Sequence, residues 1–347
     1  MADTAFSEEN RGSFAARALA FSTAFFFCML TAGALVITLL GGNGRPGVVL
    51  NLAGLTEAKP AAHARAVADA PPPAPIDKAV FAGSALIADP ALIENSPLGP
   101  LPRIADDGRK PMTAYAAPAA TGKFRIAIVV SGLGISAKAT GAALSSLPPG
   151  VTLGFAPYAG DVQHWVSQAR QFGHEVVLEL PMEPFDFPDS DPGPHTLRAG
   201  ADENSNLQRL TWTLSRFTGY AGVTNLLGQR FLSDSSALSP TMTYLARRGL
   251  YFYDNGSANQ SAAPQVAGST AMPFSQANET LDSIQTALEI DRHLSALEDQ
   301  ARTHGSAIGS GFLYPVTVER IAAWSKGLQG RGFVLVPVSA IVNAPKQ

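Results

Sequence analysis

The chain has 347 residues, a formal net charge of -3 and 15% charged residues, well under the roughly 25% of an average soluble domain. That balance excludes the basic stripe of a nucleic-acid binder, and a single cysteine excludes both a disulfide framework and a Cys-rich zinc module. The length suits one large domain with extensions.

From the N-terminus, Ala18 to Gly44 contains no charged residue, and Leu19–Leu40 is a nearly continuous apolar run. About 20 such residues cross a bilayer. Ala32-Gly33-Ala34 has the small-x-small form of a signal-peptide cleavage site. The apolar run continues past it to Leu40, however, beyond the about 7–15 residues of a signal h-region. The expectation is an uncleaved transmembrane anchor at residues 19–40 behind a tail of residues 1–18. Arg11 and Arg17 precede the run and Arg45 and Lys59 follow it, so the charge bias that sets orientation is close to even.

Residues 41–123 come next. From Asn43 to Lys123 there are 12 prolines and 20 alanines, including Pro71-Pro72-Pro73-Ala74-Pro75. Proline fixes φ, removes a backbone donor and pushes its predecessor extended. The composition predicts a semi-extended Pro/Ala-rich linker, with Ala79–Ile87 as an apolar island able to dock on the domain.

Residues 124–343 alternate strand and helix signals. Candidate strands are Arg125–Val130, Val151–Ala156, Glu175–Leu180, Ala221–Asn225, Leu250–Asp254, Val266–Met272, Ala307–Gly311 and Phe333–Val338. These short apolar runs suit strands buried on both faces. Helical periodicity is clearest over Glu279–Thr303, where Leu281, Ile284, Leu288, Ile290, Leu294, Leu297 and Ala301 mark one stripe. Asn278 reads as its N-cap and Gly305 as its stop. Asp161–Phe172 and Ala237–Arg248 are similar. Alternating strands and helices mean parallel crossovers, hence an α/β fold, either a (β/α) barrel or a doubly wound sheet.

In both architectures ligands bind at the carboxyl ends of the strands. Those ends deliver Ser131-Gly132, Tyr158, Glu179, Glu183, Asn225, Asp254-Asn255 and Phe312-Leu313-Tyr314. Carboxylates, an asparagine and tyrosines converge there, but no histidine joins them, and a metal site needs clustered ligands. Gly132-x-Gly134-x-x-Ala137 formally matches a dinucleotide fingerprint. The place for its acidic ribose partner is Ala156-Pro157-Tyr158, which favours a plain strand-to-helix turn. With no histidine at that face, a serine nucleophile has little support.

The order of motifs resembles the divergent polysaccharide deacetylases. It runs Ile126–Val130 before Gly-Leu-Gly, Leu178-Glu179-Leu180-Pro181-Met182-Glu183-Pro184, Gly222-Val223-Thr224-Asn225, Gly228-x-Arg230-Phe231, Leu250 to Asp254, Tyr314-Pro315 and Val336-Pro337-Val338. The resemblance implies a deformed (β/α) barrel of about seven to eight parallel strands, preceded by the transmembrane helix and linker. It also implies a bacterial inner-membrane protein with a cytoplasmic tail and its C-terminal domain in the periplasm.

The family's chemistry is metal-assisted removal of N-acetyl groups from a polysaccharide. At the positions matching the family's ligands this chain departs from the pattern. Asp-Asp becomes Ser131-Gly132, one histidine becomes Leu226, another becomes Phe312, and a third becomes Glu179. Glu183, Asn225, Arg230, Asp254 and Tyr314 carry over. The expected catalytic residues are thus Glu183, Asp254 and Glu179, and the expected substrate-binding residues Asn225, Arg230 and Tyr314. No metal ligand and no cofactor are expected; a divalent metal belongs only to the alternative, a hydrolase with a rebuilt site. The expected partner is a polysaccharide or cell-envelope glycan, with an envelope protein as the second candidate.

Overall fold

The computed structural model describes residues 88–342. The run Leu19–Leu40, the tail before it and residues 41–87 of the expected linker lie outside the described residues. Among the described residues no helix is long and apolar enough to cross a membrane.

A proline-led turn, Pro90–Leu92, opens into an antiparallel hairpin of β1 (Ile93–Ser96) and β2 (Gly99–Pro102), followed by the short helix α1 (Pro111–Ala114). Composition assigns residues 88–123 to the linker; the structure corrects this. The prolines sit where a missing N–H costs little. Pro90 and Pro111 open helical turns, and Pro100 and Pro102 lie in a two-stranded hairpin outside the main sheet. Leu92 and Tyr115 anchor the segment by burying their side chains.

The domain then runs β3 (Phe124–Leu133), α2 (Ala137–Ser146), β4 (Thr152–Phe155), α3 (Val162–Gln171), β5 (Val176–Met182), α4 (Glu203–Leu214), β6 (Gly222–Leu227), α5 (Gln229–Ser233), α6 (Ser235–Arg247) and β7 (Tyr251–Asp254). It continues with α7 (Ala263–Thr270), β8 (Phe274–Gln276), β9 (Glu279–Thr280), α8 (Ala287–His304), β10 (Ser306–Phe312), α9 (Pro315–Ser325) and β11 (Phe333–Leu335). The sheet order is β8-β7-β6-β5-β4-β3-β10-β9, every pair is parallel, and β11 lies beside the first residues of β3.

β8 and β9 are two halves of one bent segment. Its first half pairs with β7, and the Ala277 amide donates to the Asp254 carbonyl at 2.9 Å. Its second half pairs with β10, and the Asn278 amide donates to the Ile308 carbonyl at 2.8 Å. The sheet therefore curls until its ends meet, which is the deformed (β/α) barrel.

Successive strand residues point to opposite faces, and the core divides accordingly. Val130, Leu153, Leu178, Val223 and Phe252 pack outward against the helices. Ala127, Val129, Val177, Tyr251, Tyr253 and Ile308 fill the ring, with Leu92, Tyr115, Val336 and Val338 in the same cluster. Glu175 is the buried charge-bearing group of this inner cluster. Its carboxylate accepts from the Tyr251 hydroxyl (2.8 Å), the Ser339 amide (3.0 Å) and the Ala117 amide (3.3 Å), and burial pushes its pKa up.

Three element boundaries differ from the sequence reading. Val266–Met272 belongs mostly to helix α7, which buries Ala263, Val266 and Ala267 at helical spacing, and the strand follows it. Short apolar runs fit both periods. Asn278 does not cap α8: its side-chain oxygen accepts from the Ile308 amide, and Thr286 is the N-cap. Ile284 and Leu288, counted above in the apolar stripe, therefore lie at or before the first turn and are exposed. The last strand ends at Leu335, before a 3-10 turn at Val338–Ala340.

Candidate functional site

The carboxyl ends of the strands form the mouth of the barrel. On β5, Glu179 points inward: its register partner is Thr224 on β6, which in turn partners Tyr253 on β7. Glu179 is 1% exposed, and its Oε1 accepts from the Gly132 amide at 2.5 Å. Gly154 on β4 makes room for it, because a Cβ there would lie 2.9 Å from Glu179 Oε1 and 3.0 Å from Ser131 Oγ. Burial raises the Glu179 pKa to about 8, with the Gly132 hydrogen bond opposing the shift. At neutral pH it is chiefly a neutral acid.

Glu183 lies just past β5. Its Oε2 accepts from the Ala199 amide (2.8 Å), its Oε1 pairs with Arg230 Nη1 (3.1 Å), and its carbonyl accepts from the Arg230 and Phe231 amides. The carboxylate is buried while the arginine is half exposed. Arg230 borders an open groove of about 510 Å3 together with Phe185, Ala199, Gly200, Ser233, Asp234 and Ser235.

Asn225 and Asp254 do not join Glu179. Asn225 follows inward-facing Thr224 and registers with outward-packed Leu180. Its Nδ2 donates to the Leu227 carbonyl (2.8 Å) and to Asn255 Oδ1 (2.9 Å), and its Oδ1 accepts from the Asn255 amide (3.0 Å). Both ends of the amide are engaged in clasping β6 to β7. Asp254 follows inward-facing Tyr253 and is fully buried. It accepts from the Gly256 amide (2.9 Å) and from Gln276 Nε2 (3.3 Å), and burial raises its pKa. Tyr314 precedes α9, with its ring 6.1 Å from that of Phe312.

Strand alternation thus separates the three carboxylates expected to share catalysis. Glu179 is inside the ring, Asp254 is on the opposite face of the sheet, and Glu183 is committed to Arg230 and the loop after β5. Sequence reasoning missed Phe185 and the loop amide of Ala199. The exposed phenylalanine directly after Met-Glu-Pro was the one readable signal among them.

The residues at the mouth do not fit a zinc-type site. The positions matching the family's ligands present a serine hydroxyl, the Glu179 carboxyl and two side chains, Leu226 and Phe312, that offer no lone pairs. The Phe312 ring approaches within 3.4 Å of where a Gly132 Cβ would stand, and its amide donates to Asp282. Among the described residues no group of three or more His, Cys, Asp or Glu is placed to hold a metal ion. His174 lies before β5, far from the mouth by chain position. Its Nδ1 is 2.9 Å from the Val151 carbonyl, and burial lowers its pKa to about 4.

Three relatives are similar to this chain. An uncharacterised protein of Agrobacterium tumefaciens C58, known as a crystal structure, is 42% identical, with a TM-score of 0.69 over 70% of this chain and 100% of that one. The uncharacterised protein YibQ of Escherichia coli (strain K12) is 25% identical over 236 residues, 68% of this chain and 72% of its own. An uncharacterised protein of Haemophilus influenzae is 24% identical over 205 residues, 59% of this chain and 72% of its own. The family model of the divergent polysaccharide deacetylases matches residues 128–342, from the third strand to the end of the described barrel. The chain belongs to the divergent polysaccharide deacetylase family.

Proposed function

We propose that the protein is a membrane-anchored component of the bacterial cell envelope whose deacetylase-like barrel binds a polysaccharide without hydrolysing it. The observation that carries this reading is the donor set at the mouth. Leu226 and Phe312 stand where the family resemblance asks for histidines, and Asp254 faces away from Glu179. Neither a metal-held water nor a paired acid and base can be assembled from those side chains.

The groove beside Arg230 supplies what sugar recognition uses instead. Phe185 offers an exposed ring face, Arg230 is held rigid by buried Glu183, and Asp234 and Ser233 offer hydroxyl partners. The apolar run Leu19–Leu40 supports a single-pass inner-membrane anchor, and the family resemblance supports a periplasmic domain.

Titration calorimetry of the full chain in neutral detergent with the fully N-acetylated chitin hexamer tests this. Binding is expected, weakened at least tenfold by Arg230→Ala and by Phe185→Ala, with no acetate released. Stoichiometric acetate release from the wild-type protein, or binding indifferent to both substitutions, overturns the proposal.

A further inference from the structure

Eight large apolar side chains are exposed among the described residues, and six of them share one place. Phe185 (69% exposed) follows β5, Tyr158 follows β4, Ile135 (72%) follows β3, Phe312 ends β10, and Ile284 (57%) and Leu288 (76%) follow β9. The strands β5, β4, β3, β10 and β9 are consecutive neighbours in the sheet. The six side chains therefore project from strand-end segments that succeed one another round the mouth of the barrel. The segments after β6 and β7 are polar where they reach the surface, carrying Arg230, Asp234 and Ser257. Scattered exposed apolar residues need no explanation, but a contiguous patch marks an interaction surface.

Charge identifies the occupant. Asp161, Asp186, Asp189 and Asp191 are exposed in the loops that carry Tyr158 and Phe185. None of the four joins an ion pair among the described residues. Lys138 and Arg198 are the exposed bases beside them. An anionic lipid surface would meet this net acidic fringe with repulsion, and so would a second copy of the same face. A sugar stacks on aromatic rings but gains little from Ile135, Ile284 and Leu288.

We infer that this apolar stretch of the rim is a docking surface for another polypeptide, one presenting an apolar segment flanked by lysines or arginines. The inference goes beyond the glycan reading and does not rest on it. Of the six, Phe185 alone also borders the Arg230 groove, and neither Ile135 nor Leu288 lies in that groove.

Photo-crosslinking in living cells tests it with the full-length protein. Benzoylphenylalanine is placed at Ile135, at Leu288 or, as a control, at Phe172, an exposed apolar position at the end of α3 rather than on the rim. The expected result is one peptide of another protein, attached at both rim positions and at least tenfold above the control. Mass spectrometry should find that peptide apolar with basic flanks. Its yield should fall at least tenfold when Asp161, Asp186, Asp189 and Asp191 are all changed to Lys in a chain that still unfolds at the wild-type temperature. Adducts to lipid or to a second copy, yields no higher than at Phe172, or a yield unmoved by the charge reversal each overturn the inference.

Discussion

The Gly132 amide donates to the Glu179 carboxyl across the mouth of the barrel, joining the end of β3 to the inner face of β5. Gly132 and Glu179 stand where the family resemblance has an aspartate and a histidine. Here the two positions satisfy one another: a carboxyl that burial keeps protonated is held by a backbone N–H. Gly132 has φ +91°, a conformation that an aspartate there would adopt only with strain.

Glu179→Gln isolates the cost of that buried carboxyl. The folded group titrates near 8 and the unfolded one near 4.5. Between those values the native state keeps a proton that the unfolded state has lost, so stability falls as pH rises from about 4.5 to about 8 and is flat above. The glutamine variant lacks this loss. It should match the wild type near pH 4 and exceed it at pH 9 by on the order of several kcal/mol, at about 1.4 kcal/mol per pH unit. Parallel curves of unfolding free energy against pH would show that Glu179 is ionised in the native protein.

Asn225→Ala should act on stability rather than on recognition. It removes the side-chain part of the clasp between β6 and β7 and leaves the buried Asn255 amide N–H without its acceptor, at about 1–3 kcal/mol for an unsatisfied buried group. Urea unfolding reads the loss. The glycan affinity of the folded variant should stay within twofold of wild type, and a tenfold drop would return Asn225 to the binding surface.

Ser131→Asp, Leu226→His and Phe312→His together test the matching of positions to the family pattern. Ser131 and Phe312 are register partners on β3 and β10, and Leu226 sits at the mouth end of β6. The triple variant is expected to bind one equivalent of zinc where the wild type binds none. A folded triple variant without zinc affinity would show that the three positions do not converge.

Much of the barrel is legible in the sequence because buried parallel strands are short apolar runs punctuated by glycine turns. Seven of the eight candidate strands fall on β3, β4, β5, β6, β7, β10 and β11. Val266–Met272 is misread because alanine, glycine and threonine in a short run obey neither period firmly. The site is less legible. Glu179, Asn225 and Asp254 all sit near strand ends, but which face each takes depends on register, and strands buried on both faces carry no polar alternation to reveal it. The apolar rim is hidden for the opposite reason. Ile284 and Leu288 continue the stripe of α8 in sequence, while the helix itself begins only at Ala287.

The zinc and manganese content of the purified full-length protein, measured by mass spectrometry after dialysis against each metal, decides whether the mouth of the barrel holds a metal. Less than about a tenth of an equivalent per chain is expected, unchanged by Asp254→Ala. One equivalent of either metal, lost on Asp254→Ala, would contradict that expectation.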